Sequence, residues 1–334
     1  MPLFKRNEFY VACTILALGC LIQGTSGQFF TANNITDLAR SIIVPGMLGL
    51  GTMIILISGN IDISFPAISM LSMYAVIKWF VTIQYQGPVV VGFILCAILG
   101  AFLGAINGIL AAWLKLPTLI ITLGTGSIFL GFMQGVLKSS VISILPSPVA
   151  SLSKSFLYTV YNSKLDILSS LPSVFLFLPA AVVIMFFIMR YTMLGRGIYA
   201  LGGDPVSCER AGFNVVKTRI FVFTFMGMIS GVVGMVRVVL TGMVQPTTLI
   251  GYELSSIAAV VLGGVSLYGG KGTITGTLLG VTLLTMITNS LILLGIPSYW
   301  SKFFTGIFIV VGIGITSFRT LRARGKVNTV VLEN

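Results

Sequence analysis

The residues in this chain that could do chemistry are few, and they sit where long apolar runs break. Ser58-Gly59-Asn60-Ile61-Asp62-Ile63-Ser64 interrupts one run. Leu262-Gly263-Gly264-Val265-Ser266-Leu267-Tyr268-Gly269-Gly270-Lys271-Gly272-Thr273 closes another. A helix broken within a membrane leaves backbone N–H and C=O groups unpaired. Lipid cannot satisfy them, so the break must face protein or water. A pair of short, glycine-interrupted helices is the best sequence pointer to a translocation path. Asp62 sharpens the first break, because a carboxylate beside an apolar span is costly without partners or water. It reads either as a gate or as a cap that accepts free N–H groups at the start of the next helix. Glu253 has a similar pair of readings, path residue or helix-start carboxylate favoured by the dipole. Asn60, Ser64, Asn107, Gln245 and Asn289 complete the candidate path. Each could equally make a hydrogen bond between helices.

Other chemistries lack their residues. There is no histidine, which removes the commonest general base, metal ligand and neutral-pH switch. Cys13, Cys20, Cys96 and Cys208 form no CxxC pair and read as small packing residues. Gly264 and Gly269 have the spacing of a phosphate-binding loop. Gly270 then intervenes before Lys271, and Gly272 follows where Ser or Thr is needed. No catalytic residue, metal site or cofactor is therefore expected. ATP, if it drives this protein, must be hydrolysed on another subunit. An ion-coupled carrier needs titratable relays within its spans, and only Asp62 and Glu253 lie near them. That reading and an open channel remain the alternatives.

The elements that must position these residues are membrane helices. Of 334 residues, 56% are hydrophobic and 8% charged, against about 25% charged in soluble domains. At ~20 apolar residues per span, about ten spans are predicted: 9–26, 41–58, 66–81, 88–114, 117–137, 173–189, 220–243, 254–268, 273–294 and 299–318. Spans three and eight, next to the two breaks, are short. The expectation is one all-α polytopic domain with an extracytoplasmic segment at 139–172 and a cytoplasmic loop at 190–219. Lys5 and Arg6 open a first span with no convincing cleavage site, so the span is expected to be retained. With the N-terminus in the cytoplasm, 13 of the 20 Lys and Arg fall inside and six outside, with Arg237 within a span. This favours two cytoplasmic termini. The net charge of +12 thus reflects orientation and not nucleic-acid binding.

Gly100, Gly104 and Gly108 in span four share their spacing with Gly272, Gly276 and Gly280 at span nine. Such rows let helices approach closely. An offset of five spans predicts an inverted five-helix repeat. In the 190–219 loop, Asp204 and Pro205 predict the start of a short helix and Gly212 its left-handed stop. A short capped helix among mixed charges suggests a docking element.

The chain resembles the permease subunits of ribose-type ABC sugar importers, the autoinducer-2 importer permeases among them. The resemblance covers nearly the whole length. It is carried by Phe29-Phe30-Thr31, by Ser58 to Ser64, and by Leu194-Gly195-Arg196 through Gly202-Gly203-Asp204. Ala211-Gly212-Phe213-Asn214-Val215, Gly251-Tyr252-Glu253-Leu254, Ala258 to Gly264 and Tyr268 to Thr273 complete it. Asn60 and Pro66 stand where the family usually has glycine. The resemblance implies a bacterial inner-membrane protein that works as a pair of identical or homologous permeases of about ten spans each. ATPase subunits dock on the cytoplasmic loops, and an extracytoplasmic binding protein delivers a monosaccharide-like solute. It also implies that Asp204, Pro205, Glu209, Arg210, Ala211 and Gly212 form the coupling helix. The 139–172 segment is the expected docking surface for the binding protein.

Overall fold

The computed structural model describes residues 7–114, 116–162 and 166–297, with 300, 303, 306, 307, 310 and 314. Among these residues, eight helices are long and apolar enough to cross a membrane, and a ninth apolar helix is shorter. The chain is mostly helical. Helix α1 spans Asn7–Ser26, α2 Ala32–Ile57, α3 Phe65–Thr82, α4 Val90–Trp113 and α5 Thr118–Gly135. After a short α6 (Ser147–Ser153) come two strands, β1 (Phe156–Asn162) and β2 (Ile167–Pro172). The chain continues through α7 (Phe177–Tyr191), α8 (Met193–Gly203), α9 (Pro205–Arg210), α10 (Val215–Thr241), α11 (Tyr252–Leu262) and α12 (Ile274–Leu293). Most of the span expected at 299–318 lies outside the described residues.

The all-α expectation needs one amendment. Residues 139–172 are not only polar linker, since β1 and β2 pair as an antiparallel hairpin. Phe156, Tyr158, Val160 and Tyr161 of β1 are residue types enriched in strands. The hairpin stands on the first turns of α2. Asn33 Nδ2 donates to the Val160 carbonyl (3.2 Å) and to Ser169 Oγ (3.2 Å), and Ser169 Oγ donates to Asp37 (3.0 Å). These contacts explain why α2 starts nine residues before the expected span: its polar first turns are partnered by protein. A pair of backbone bonds between Ile142 and Val244 closes the same end of the bundle.

The core lies between α2 and α10, both largely buried, while α1 and α7 are mostly exposed, as lipid-facing helices should be. Helix α4 lies along α10, and glycine sets the distance. A Cβ at Gly100 would meet the backbone of Gly227 and Gly231, and one at Gly104 would meet Phe223 and Gly227. The α12 row engages a different neighbour. Gly276 and Gly280 face Ala259 and Gly263 at the end of α11, and Gly272 meets the Ile57 side chain. In lipid, such close packing supplies the association that burial supplies in water.

Candidate functional site

The first break begins as a helix stop. Gly59 takes φ +75°. Its N–H reaches the Leu56 carbonyl (2.9 Å), and the Asn60 N–H reaches that of Ile55 (3.1 Å), the two bonds of a Schellman motif. Asn60 is buried and turned inward on this stop, donating to the Ser58 carbonyl (3.1 Å) and Ser58 Oγ (2.8 Å). Beyond it residues 61–63 belong to no helix or strand, and the backbone needs partners from elsewhere. Helix α5 supplies them. The Ile61 N–H donates to Thr118 Oγ1 (3.0 Å) and the Ile63 N–H to Thr122 Oγ1 (3.3 Å). The Thr-x-x-x-Thr spacing that puts both hydroxyls on one helical face was available in the sequence.

Asp62, Ser64 and Asn107 form one buried cluster. Asp62 Oδ1 accepts from the Ser64 N–H (2.7 Å) and Ser64 Oγ (2.6 Å). Ser64 Oγ accepts from Asn107 Nδ2 (2.7 Å). Asp62 thus fixes the N-cap residue of α3 and accepts from no N–H within the helix itself. Its other oxygen, and Asn107 Oδ1, are buried with no protein partner among the described residues. The cluster ties the break to α4.

Glu253 belongs to the same neighbourhood. It sits in the first turn of α11, accepts from the Gly251 N–H (3.0 Å), and lines an open groove of about 150 Å³ with Ile63, Pro66, Thr122, Gly126 and Ser127. The groove therefore joins the start of α11 to the first break and to α5. The other two candidates lie elsewhere. Asn289 Nδ2 donates to Ser41 Oγ (3.0 Å), linking α12 to α2. It does so at the turn where Pro45 denies the Ser41 carbonyl its helical donor. Gln245 is exposed in the loop after α10, where its carbonyl accepts from the Thr248 N–H (3.2 Å).

The second break also starts with a Schellman motif: the Gly264 N–H donates to Val261 (2.9 Å) and the Val265 N–H to Val260 (3.2 Å). The segment then folds back on the first break, with the Gly270 N–H donating to the Ile57 carbonyl (2.8 Å). Thr273 and Thr275 hydroxyls donate to Glu8, so α1 holds the start of α12.

The short helix at 204–212 is present as α9. Asp204 is its N-cap, accepting from the Val206 N–H (3.3 Å) and Ser207 N–H (3.0 Å), and Pro205 occupies the first turn. Bonds from the Ser207 hydroxyl and N–H hold the Asp204 carboxyl below its ordinary range. Glu209 and Arg210 are exposed, Ala211 is the C-cap, and Gly212 takes φ +86°. Cys208 faces inward. Burial first, then the nearby Asp204 and Glu209 charges, push its thiol upward, away from the reactive thiolate. The helix in front of α9 was missed by sequence reasoning: α8 is rich in glycine and reads as loop, yet Thr192 caps it through the Gly195 N–H (3.2 Å).

Comparison of the sequence with known proteins finds permeases of import systems. Residues 34–312 match the family model described as branched-chain amino acid transport system / permease component. The chain is 30% identical over 307 residues to the ribose import permease protein RbsC of Escherichia coli strain K12, covering 90% of each chain. It is also 30% identical over 306 residues to the autoinducer 2 import system permease protein LsrC of Yersinia pseudotuberculosis serotype O:1b, covering 92% of this chain and 83% of the relative. No solved structure matches it.

Proposed function

This chain belongs to the branched-chain amino acid transport system / permease component family, and we propose that it is the membrane subunit of an ABC importer for a monosaccharide or similar small polar solute. The observation that carries the reading is the groove between the first break and the start of α11, in a chain similar along 90% of its length to a ribose import permease. A groove of about 150 Å³ that opens to the surface is small beside the ~300–1,000 Å³ of ligand pockets. Two copies or homologues facing each other across α5 and Glu253 would close a route that one chain leaves open. The exposed Ser127 hydroxyl suits a neutral, hydroxyl-bearing solute, whereas Thr122 is buried and holds the Ile63 N–H of the break. Asp62, Ser64 and Asn107 set the position of the break behind the groove, and Asn60 holds the helix stop that precedes it. Gln245 and Asn289 drop out of the path on this reading.

The rest of the machinery follows from the same assignment. ATP is hydrolysed by a separate cytoplasmic subunit docked on α9, and both termini lie on that side of the bacterial inner membrane. An extracytoplasmic binding protein docks over residues 139–172. The chain forms ten helices in two inverted sets of five; paired packing supports a repeat relation between the halves, since α4 lies against α10 as α12 lies against α2, and α3 meets α10 as α11 meets α2. The two glycine rows, with their different neighbours, do not contribute to that support.

Mild detergent extraction followed by affinity purification tests the reading. An ATPase and a solute-binding protein should co-purify, and the binding protein should release a sugar-like ligand when denatured. Solute flux through the reconstituted chain alone, without ATP, would favour the carrier or channel alternative.

A further inference from the structure

Helices α8 and α9 share Asp204, the C-cap of one and the N-cap of the other, so the two are joined without slack. They meet the membrane-spanning part at a crowded point. Gly202 of α8 is buried, and a Cβ there would overlap the Ile57 carbonyl oxygen and crowd the Gly270 nitrogen. Those two groups are hydrogen-bonded to each other, one from each break. An ideal Cβ on Gly269 would lie 2.9 Å from both Gly202 Cα and Gly59 Cα, and one on Gly59 would lie 3.5 Å from Gly202 Cα. Three glycines from three segments are thus packed backbone to backbone. One turn earlier, the Tyr199 hydroxyl donates to the Gly272 carbonyl (2.8 Å). The neighbouring Gly203 differs, since a Cβ there meets nothing within 4 Å.

Side chains can hop between rotamers and absorb a displacement, whereas close-packed interiors transmit strain. Contact made by backbone alone leaves nothing to absorb it. We propose that Gly202 is the positioning residue through which movement of α8 and α9 passes to both helix breaks together. The second break moves with the first because Gly270 is bonded to Ile57 and both lie against Gly202. The proposal rests on α9 being the point where the ATPase docks.

The test needs no knowledge of the solute. In a chain with its four cysteines replaced by alanine, Ile63→Cys reports on the first break and Leu267→Cys on the second. Alkylation rates by a small methanethiosulfonate are compared in membranes holding the assembled importer, with and without vanadate-trapped ATP. In the parent, trapping should change both rates about threefold or more, within the ~0.5–2 kcal/mol typical of coupling residues. In Gly202→Ala both ratios should fall to about one with trapped nucleotide undiminished, while Gly203→Ala keeps the parental ratios. Parental ratios in Gly202→Ala, or equal loss in Gly203→Ala, overturn the proposal. Should Gly202→Ala fail to assemble, Tyr199→Phe decides. It removes one hydrogen bond and leaves every backbone contact of Gly202 in place, so it should keep the parental ratios; loss of the response there would assign the movement to the hydrogen bond and overturn the proposal. A parent that traps no nucleotide overturns the importer reading, and this proposal with it.

Discussion

Ser64 shows how one hydroxyl holds the first break. It is fully buried, donates to Asp62 and accepts from Asn107. Both neighbours already carry one oxygen with no protein partner among the described residues. Ser64→Ala would strand the Asn107 amide and remove one of two bonds to Asp62 Oδ1. A buried polar group left unpaired costs about 1–3 kcal/mol. The variant should therefore unfold at lower temperature in detergent, and Ser64→Thr, which keeps the hydroxyl, should recover part of the loss. An unchanged melting temperature for Ser64→Ala would show that the cluster does not hold the break. Asp62 was legible in the sequence as a residue with two possible roles, and Ser64 and Asn107 as polar residues near spans. That the three touch was not legible, because 43 residues separate Ser64 from Asn107 and no local rule pairs them. Thr118 and Thr122 were overlooked for the same reason: threonines on an apolar helix look alike whether they face lipid or a broken backbone.

Between elements, glycine decides the spacing. The α4 row was readable from its four-residue period. Its partner was not, since Gly227 and Gly231 become significant only when α10 lies against α4. Gly104→Leu would drive a side chain into the Phe223 carbonyl and the Gly227 backbone, where no side chain can yield. Overpacking a tight core costs about 1–3 kcal/mol or more. We expect Gly104→Leu to lose monodisperse protein on gel filtration, while Gly24→Leu, with open space around it, behaves as the parent does. Equal behaviour of the two would mean that α4 and α10 are not held by this contact. The helix boundaries follow the same logic. The first turns of α2 are too polar for a span rule, and they are helical because the hairpin partners Asn33 and Asp37.

For the molecule as a whole, the proposed topology sets the hairpin and α9 on opposite faces of the membrane. Cysteine introduced at Lys154, between α6 and β1, should react with a membrane-impermeant reagent in intact cells. Cysteine at Arg210, exposed on α9, should react only after permeabilisation. The reverse pattern would invert the orientation inferred from the Lys and Arg distribution and remove α9 from reach of a cytoplasmic ATPase.

What this sequence determined alone is its solvent and its punctuation. Apolar composition demands a membrane, because 8% charged residues cannot cover a surface in water. Glycine, proline and capping residues mark where helices stop, because those limits are local and steric. The tertiary structure decided which breaks meet. The backbone groups freed at Ile57, Ile61 and Ile63 could be satisfied only by groups distant in sequence, Gly270, Thr118 and Thr122. Those pairings arise from the packing of whole helices, which no spacing within a segment encodes.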